Sequence, residues 1–249
     1  MSQIRVKQRI FSGAVCEQIV YSAPGGARRI KNSGPKPRFT SEDERAQHRK
    51  QIALKRFVRM VNATFSPESL YSTLTLDVEN EVHTFQEARR LRAAYVRRLK
   101  HSCPGAQIVM VMGRGKHTDR IHYHMISNSV PVSVIRDKWR LGEVLRIVNL
   151  REHNYYDGVD HGRDYTGLAV YLFEHWTEEQ GGHRYYATRN MRKPVVEDTK
   201  EALIPYSVDR PPRAPKGYAL VASEAIKYGY LHFTYVAEKF LKKQGRGKK

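Results

Sequence analysis

The stretch that decides the fold lies near the middle of the chain, where residues 107–127 read QIVMVMGRGKHTDRIHYHMIS. Its first part, from Gln107 to Met112, is almost entirely apolar and predicts a buried strand. A short polar turn over 113–119 follows, and a second strand runs from Arg120 to Ser127. Two strands joined by a short polar turn predict a β-hairpin.

Strands and helices alternate on both sides of this hairpin. Before it, the β-branched alternation of residues 71–77 predicts a strand, and residues 84–101 predict a helix. After it come a predicted helix over 132–140, a strand over 144–150 and a helix from 164 to about 179. The order β-α-β-β-α-β, with one more helix, predicts an α+β fold: a ferredoxin-like sandwich with an antiparallel central sheet and helices on one face.

The two ends of the chain differ from this central region in composition. Residues 1–40 predict a basic N-terminal arm, because Gly and Pro interrupt a run of Arg and Lys. The main domain is expected over 41–195, and it opens with a basic helix whose start is marked by the capping box that begins at Ser41. Residues 196–249 are expected to form a Pro-rich linker, a hairpin that could span Tyr218 to Val236, and a basic tail.

Positive charge is concentrated at the two ends. The 249-residue chain has a formal net charge of +19. Residues 1–60 hold 14 basic and 4 acidic side chains, residues 211–249 hold 9 and 2, and residues 141–210 hold 9 and 12. This distribution predicts a nucleic-acid partner gripped by basic extensions, with an anionic membrane surface as the second candidate. The alternative is that the charged ends only keep the chain in solution.

The composition also excludes several classes of protein. No run approaches the ~18 consecutive apolar residues of a membrane-spanning helix, and the first ten residues have no apolar core of signal-peptide length. Two cysteines are too few for a disulfide scaffold or a cysteine-rich zinc module. We therefore expect a cytoplasmic protein with no membrane partner.

A pair of histidines on the second strand of the hairpin is the first candidate site. Side chains alternate across a strand, so His122 and His124 share one face while Ile121, Tyr123 and Met125 share the other. Two imidazoles side by side on an open sheet face could bind a divalent metal and leave positions for water and a phosphate oxygen. The alternative is two unrelated surface histidines.

The last predicted helix contributes a candidate nucleophile. At 100° per residue, one stripe of this helix is apolar: Tyr165, Leu168, Ala169, Leu172 and Trp176. Tyr171 falls on the adjacent face together with Glu174, His175 and Glu178. A tyrosine grouped with ionisable residues could act as a nucleophile. The helix alone favours the alternative, which is a core tyrosine whose hydroxyl finds a surface partner.

These segments together resemble a known family. The strand Ser72–Leu76, the His122-Tyr123-His124 strand and the Tyr171 helix follow one another as in the HUH endonucleases, specifically the single-tyrosine rolling-circle replication initiators (Rep proteins) of bacterial plasmids and phages. The resemblance spans roughly residues 41–195. It implies a divalent metal, magnesium or manganese, held by His122 and His124, and Tyr171 as the nucleophile that forms a 5′-phosphotyrosyl intermediate in DNA.

The resemblance also implies the partners. They are single-stranded or hairpin DNA at a replication origin, together with a helicase and a polymerase of the bacterial host, and no small-molecule substrate. The candidate DNA-binding side chains are the basic residues of the arm, of the hairpin turn and of the segment after the tyrosine helix: Arg28, Arg29, Arg114, Lys116, Arg120, Arg189, Arg192 and Lys193.

Two positions depart from the family pattern. Glu174 stands where the family usually has a lysine, three residues after the tyrosine, and residues 109–114 contain no carboxylate that could act as a third ligand. Glu174 or His175 is therefore the candidate third ligand. Two alternatives remain open: a relaxase or transposase with the same chemistry, and a catalytically inactive HUH-fold DNA-binding protein, which Glu174 favours.

Overall fold

The computed structural model describes residues 3–24, 41–115, 120–175, 183–226 and 230–242. Its helices are α1 (Glu42–Thr64), α2 (Phe85–Ser102), α3 (Val132–Lys138) and α4 (Thr166–Glu174). Its strands are β1 (Gln3–Ser12), β2 (Val15–Pro24), β3 (Leu70–Thr75), β4 (Gln107–Arg114), β5 (Ile121–Asn128), β6 (Val144–Asn149), β7 (Tyr155–Tyr156), β8 (Val159–Asp160), β9 (Tyr186–Ala187), β10 (Val195–Val196), β11 (Lys200–Glu201), β12 (Tyr218–Ile226) and β13 (Tyr230–Ala237). No helix in these ranges is long and apolar enough to cross a membrane.

The chain divides into two compact units that differ from the predicted domains. The terminal unit consists of Met1–Ala63, Glu152–Asp164 and Lys193–Lys249, and the central unit consists of Thr64–Arg151 and Tyr165–Arg192. The expected single domain over 41–195 is therefore split, because α1 and the β7–β8 hairpin belong to the terminal unit.

In the terminal unit, both ends of the chain enter one sheet. Its strand order is β10-β1-β2-β13-β12, with β11 also paired to β1, and all pairs are antiparallel. The expectation of an arm over residues 1–40 is wrong for residues 3–24. Val6 and Ile10 are buried while Lys7 and Arg9 on the opposite face are partly exposed, so the basic residues belong to an alternating strand. Residues 25–40, with Arg28 and Arg29, lie outside the described residues.

The C-terminal hairpin belongs to the same sheet. β12 and β13 pair from Tyr218 to Ala237, and β13 also pairs with β2. Residues 196–242 are therefore not a separate extension, because β13 lies between β2 and β12 and buries Phe233 and Tyr235 in the core of the unit.

The central unit has the element order expected for residues 71–150. β3, α2, β4, β5, α3 and β6 follow one another along the chain. The sheet order is β6-β3-β5-β4-β9, and every pair is antiparallel. A mixed α+β chain with antiparallel sheets and four described helices confirms the predicted fold class at that level.

The two faces of this central sheet are covered differently. On one face Tyr123 of β5 packs with Trp139 and with Tyr95 of α2 in the main apolar core. On the other face the side chains of α4 reach β5, since the rings of His124 and Tyr171 lie 5.6 Å apart. The expectation of helices on one face is therefore wrong, because β4 and β5 are buried on both faces and both need cover.

Candidate metal centre and nucleophile

His122 and His124 lie on the same face of the central strand β5, as the alternation predicts. Their Nε2 atoms are 3.1 Å apart, and their rings are nearly perpendicular. Two nitrogens bound to one metal at about 2.1 Å would lie roughly 3.0–3.4 Å apart in octahedral or tetrahedral geometry. The observed separation fits shared ligation without movement of the strand.

His175 from the end of α4 is the third member of the cluster. Its ring centroid is 4.5 Å from that of His124 and 6.0 Å from that of His122. One ligand nitrogen from each ring lies within 4.8 Å of the others. Nδ1 of His175 lies 2.8 Å from the carbonyl oxygen of Tyr171, and only a protonated nitrogen can donate to a carbonyl. In the neutral imidazole, Nε2 then carries the lone pair that a metal requires.

Burial keeps the pair on β5 in the neutral form that ligation needs. Burial lowers the pKa of His124 to about 3, and the neighbouring His175 and His122 add to the effect. Burial also lowers the pKa of His122, although a hydrogen bond to the backbone of Arg120 acts in the opposite direction. A neutral imidazole has a free lone pair, so this pair of rings suits a divalent metal.

Gly113 leaves the space in which these rings lie. It is the residue of β4 directly opposite His122. A Cβ atom at this position would lie 2.7 Å from Cδ2 of His175 and 2.9 Å from Nε2 of His122. Glycine inside a strand often marks a close approach of this kind. The cluster requires a residue without a Cβ atom at this position.

The neighbouring strand β3 fixes the orientation of the His124 ring. The Tyr71 hydroxyl is 2.7 Å from Nδ1 of His124, and the Thr73 hydroxyl is 3.3 Å from the same atom. The Tyr71 ring also stacks on the His124 ring, with an interplanar angle of 14°. When Nε2 serves as the ligand nitrogen, Nδ1 carries the proton and donates it to these oxygens, which is the usual way that a ligating imidazole is held.

Tyr171 lies beside the cluster and is accessible. Its side chain is 47% exposed, and its ring centroid is 4.3 Å from that of His175. Tyr165 differs on both counts, because it is 2% exposed and donates its hydroxyl to the carbonyl of Arg151. Tyr186 pairs with Met110 and lies under the guanidinium of Arg92, on the face of the sheet that packs against α2.

The remaining predicted residues of the helix fall into two groups. Glu174 is exposed and is not part of the histidine cluster, so of the two candidate third ligands it is His175 that joins the pair. Ala169 and Leu172 are buried as the apolar stripe predicts, and Leu168 is half-buried. Trp176 and Glu178 lie outside the described residues.

Two of the predicted DNA-binding arginines are occupied by contacts within the chain. Arg120 pairs with Glu81 at 3.2 Å and donates to the carbonyl of Leu76. Arg114 donates to the carbonyl of His83 and lies over the ring of Phe85. These guanidinium groups hold the segment between β3 and α2. The side chains of Arg189, Arg192 and Lys193 are exposed, and Lys116 lies outside the described residues.

Sequence reasoning missed Gly113, Tyr71 and Thr73. Gly113 borders a polar turn and is assigned to that turn from the sequence. The alternation of β3 shows that Tyr71 and Thr73 share a face, but not which strand lies beside them. A ferredoxin-like sheet places β3 and β4 on either side of β5. Assigning the residue opposite each histidine on those two strands could have found them.

The chain was compared with protein-family models, with curated proteins and with solved structures. No family model, no curated protein and no solved structure matches it.

Proposed function

We propose that this chain nicks and rejoins single-stranded DNA with Tyr171 as the nucleophile, in the manner of the HUH rolling-circle initiators that it resembles. The observation that carries the proposal is the meeting of an exposed tyrosine with three clustered histidines on one face of the central sheet. A nucleophile beside a cluster of metal-ligating nitrogens suits transfer of a phosphoryl group.

The element order supports the same proposal. The order of β3, α2, β4, β5, α3 and β6 and their antiparallel pairing are compatible with a ferredoxin-like sandwich, and this supports the proposal. In this arrangement the central strand β5 presents His122 and His124 on the face that α4 approaches. Fold likeness by itself does not imply function, so the argument depends on the site.

The bond changes follow from the residues present. The Tyr171 oxygen attacks phosphorus, the new O–P bond forms, and the bond from phosphorus to the 3′ oxygen breaks. The tyrosine proton passes to solvent, to which the half-exposed side chain is open, and the departing oxygen takes up a proton to give a free 3′-hydroxyl. The phosphotyrosyl bond conserves the energy of the phosphodiester, so the strand can be rejoined by the reverse reaction.

His122, His124 and His175 would hold the divalent metal. When bound, such an ion neutralises charge on a non-bridging phosphate oxygen. The residues themselves contribute orientation: the carbonyl of Tyr171 holds His175, and the hydroxyls of Tyr71 and Thr73 hold His124. The histidines are thus directed at the cluster before any ligand arrives, which limits the reorganisation that binding requires.

A covalent-trapping experiment tests the proposal. The chain is incubated with a pool of single-stranded oligonucleotides and Mn²⁺, and protein–DNA adducts are resolved on a denaturing gel and located by mass spectrometry. We expect an adduct on Tyr171 that is absent from Tyr171→Phe and present in Tyr165→Phe, the matched control on the same helix. An adduct on Tyr165, Tyr185 or Tyr186 would contradict the residue assignment.

One observation favours a second candidate function. Glu174 places an exposed carboxylate one turn from Tyr171, and a negative charge near the reacting phosphate opposes the chemistry. A catalytically inactive DNA-binding protein would give tight binding and no adduct under any metal condition. In that case Glu174→Lys is the first variant in which to seek activity. A relaxase or transposase would give the adduct and differ only in the DNA that it recognises.

A further inference from the structure

The sheet face that carries the histidine cluster continues to the edge strand β6. Residues directly opposite one another on neighbouring strands share a face. Thr73 pairs with His124 on one side and with Arg146 on the other, so the three lie in one row across β5, β3 and β6. The next row along the strands contains Tyr71 and Val148.

Arg146 is an uncommitted cation in this row. Its side chain is exposed, and it forms no hydrogen bond or ion pair with another residue in the described part of the chain. Arg120, by comparison, is held by Glu81. Thr73, the residue opposite Arg146, contacts Nδ1 of His124 at 3.3 Å, so one residue separates Arg146 from the histidine cluster along the row.

The neighbours of Arg146 suit the other parts of a nucleotide. Val148 is 36% exposed in the adjacent row of the same face, next to Tyr71. Single-stranded nucleic acid is bound by cations that contact phosphates and by apolar or aromatic surfaces on which bases rest. A DNA strand that crosses this face from its edge would meet β6 first, then β3, and then the histidines on β5.

The geometry points to Arg146 as a phosphate-binding residue of the single-stranded DNA path, contacting a phosphate close to the one that reacts. This inference rests on the proposed function for the identity of the ligand. It assigns to β6 the phosphate-binding role predicted for Arg114 and Arg120, whose guanidinium groups make contacts within the fold.

Binding measured without metal tests the inference separately from catalysis. Fluorescence anisotropy of a labelled oligothymidylate is followed in EDTA over a range of salt concentrations for the wild type, Arg146→Gln, Arg146→Lys and Arg136→Gln. Arg136 is the matched control, because it is an exposed arginine of the same unit on α3, which packs with α2. Circular dichroism confirms that each variant is folded.

Loss of one phosphate contact changes the salt dependence of binding by a known amount. Arg146→Gln should lower the slope of log K against log salt by about 0.7 and weaken binding about 5-fold near 0.1 M salt. Arg146→Lys should retain most of the slope, and Arg136→Gln should match the wild type. A wild-type slope in Arg146→Gln overturns the inference, as do equal losses in both glutamine variants or an absence of wild-type binding. A slope change without any Tyr171 adduct supports the inference and counts against the proposed nicking alone.

Discussion

His124 is the residue on which the contacts of the candidate site converge. Its Nε2 atom meets His122, its Nδ1 atom meets Tyr71, and its ring edge faces Tyr171 and His175. Tyr71 comes from β3, His122 from β5 itself, and Tyr171 and His175 from α4 and its C-terminal end. The orientation of this one ring therefore depends on how β3, β5 and α4 are assembled.

Removal of the Tyr71 hydroxyl should weaken metal binding. Tyr71→Phe keeps the stacked ring and deletes the oxygen that lies 2.7 Å from Nδ1 of His124. Loss of such a partner usually costs 10- to 100-fold in metal affinity, roughly, because the ring is no longer held in the ligating orientation. Isothermal titration with Mn²⁺ measures the change. Tyr186→Phe, on the opposite face of the same sheet, should bind as the wild type does, and equal affinity for both variants would contradict the role of Tyr71.

A methyl group at Gly113 should disrupt the cluster. Gly113→Ala would put a Cβ 2.7 Å from the His175 ring, so the imidazoles must move apart and metal affinity should fall by about 10-fold or more. Gly105→Ala is the control, because nothing lies within 4 Å of a Cβ at that position. The same titration reads out both variants. Unchanged affinity in Gly113→Ala would show that the rings do not depend on this space.

Among the elements, α2 supports the sheet from the face opposite the histidines, and its start is defined by a reciprocal cap. The Thr84 hydroxyl accepts from the backbone N–H of Glu87 at 3.2 Å and donates to the Glu87 carboxylate at 2.7 Å. The helix then buries Tyr95 and Leu99 against the core under β5. The helix predicted over 84–101 is found at Phe85–Ser102.

The cap gives a prediction at this scale. Thr84→Ala should lower the free energy of unfolding by about 1 kcal/mol, because the backbone N–H of Glu87 in the first turn loses its hydrogen-bond acceptor. Urea unfolding followed by circular dichroism measures the loss. Ser133→Ala, an exposed position on α3, is the comparison and should change stability by a few tenths of a kcal/mol. A neutral Thr84→Ala would mean that tertiary packing alone holds the start of α2.

For the molecule as a whole, a half-buried ion pair makes the stability of the terminal unit sensitive to acid. Arg59 of α1 donates two hydrogen bonds to Glu17 of β2, at 2.6 and 3.2 Å, and His232 of β13 contacts the same carboxylate at 3.0 Å. Burial alone would raise the pKa of Glu17, but these partners outweigh it and hold the pKa at about 2.

The direction of the acid effect follows from this lowered pKa. The contribution of Glu17 to stability is complete above the unfolded pKa of 4.5 and is lost as the pH falls towards 2. This difference between the unfolded and folded pKa values of Glu17 corresponds to roughly 3 kcal/mol of stability. Glu17→Gln should lose that stability at pH 7 and show a flatter dependence between pH 5 and about 2. Thermal unfolding across this range is the measurement, with Glu224→Gln, an exposed position on β12, as the control. A wild-type pH profile in Glu17→Gln would contradict the assignment.

The distribution of charge over the whole chain gives the last prediction. The net charge of +19 should make DNA binding strongly dependent on salt. Deleting residues 1–40 would remove β1 and β2 from the terminal sheet, so the basic segment is better tested by substitution. Changing Arg28, Arg29, Lys31, Lys36 and Arg38 together to Gln should flatten the salt slope measured by anisotropy. An unchanged slope would mean that this segment only keeps the chain in solution.

The sequence by itself determined the features that depend on near neighbours along the chain. The period of two in a strand puts His122 and His124 on one face, and the spacing of four in a helix puts His175 one turn from Tyr171. The element order of the central unit and the caps at Ser41 and Thr84 are local in the same way.

Only the tertiary structure decided which distant segments become neighbours. The pairing of β3 and β4 with β5 brings Tyr71 and Gly113 to the histidines, β6 adds Arg146, and α4 approaches the face opposite α2. The entry of both chain ends into one terminal sheet is of the same kind. These pairings join residues far apart in sequence, and the register between strands is set by packing of the whole sheet, where a slip of one residue would turn every side chain to the other face. The pairing and register of the strands are therefore properties of the assembled sheet, and no single stretch of the chain specifies them.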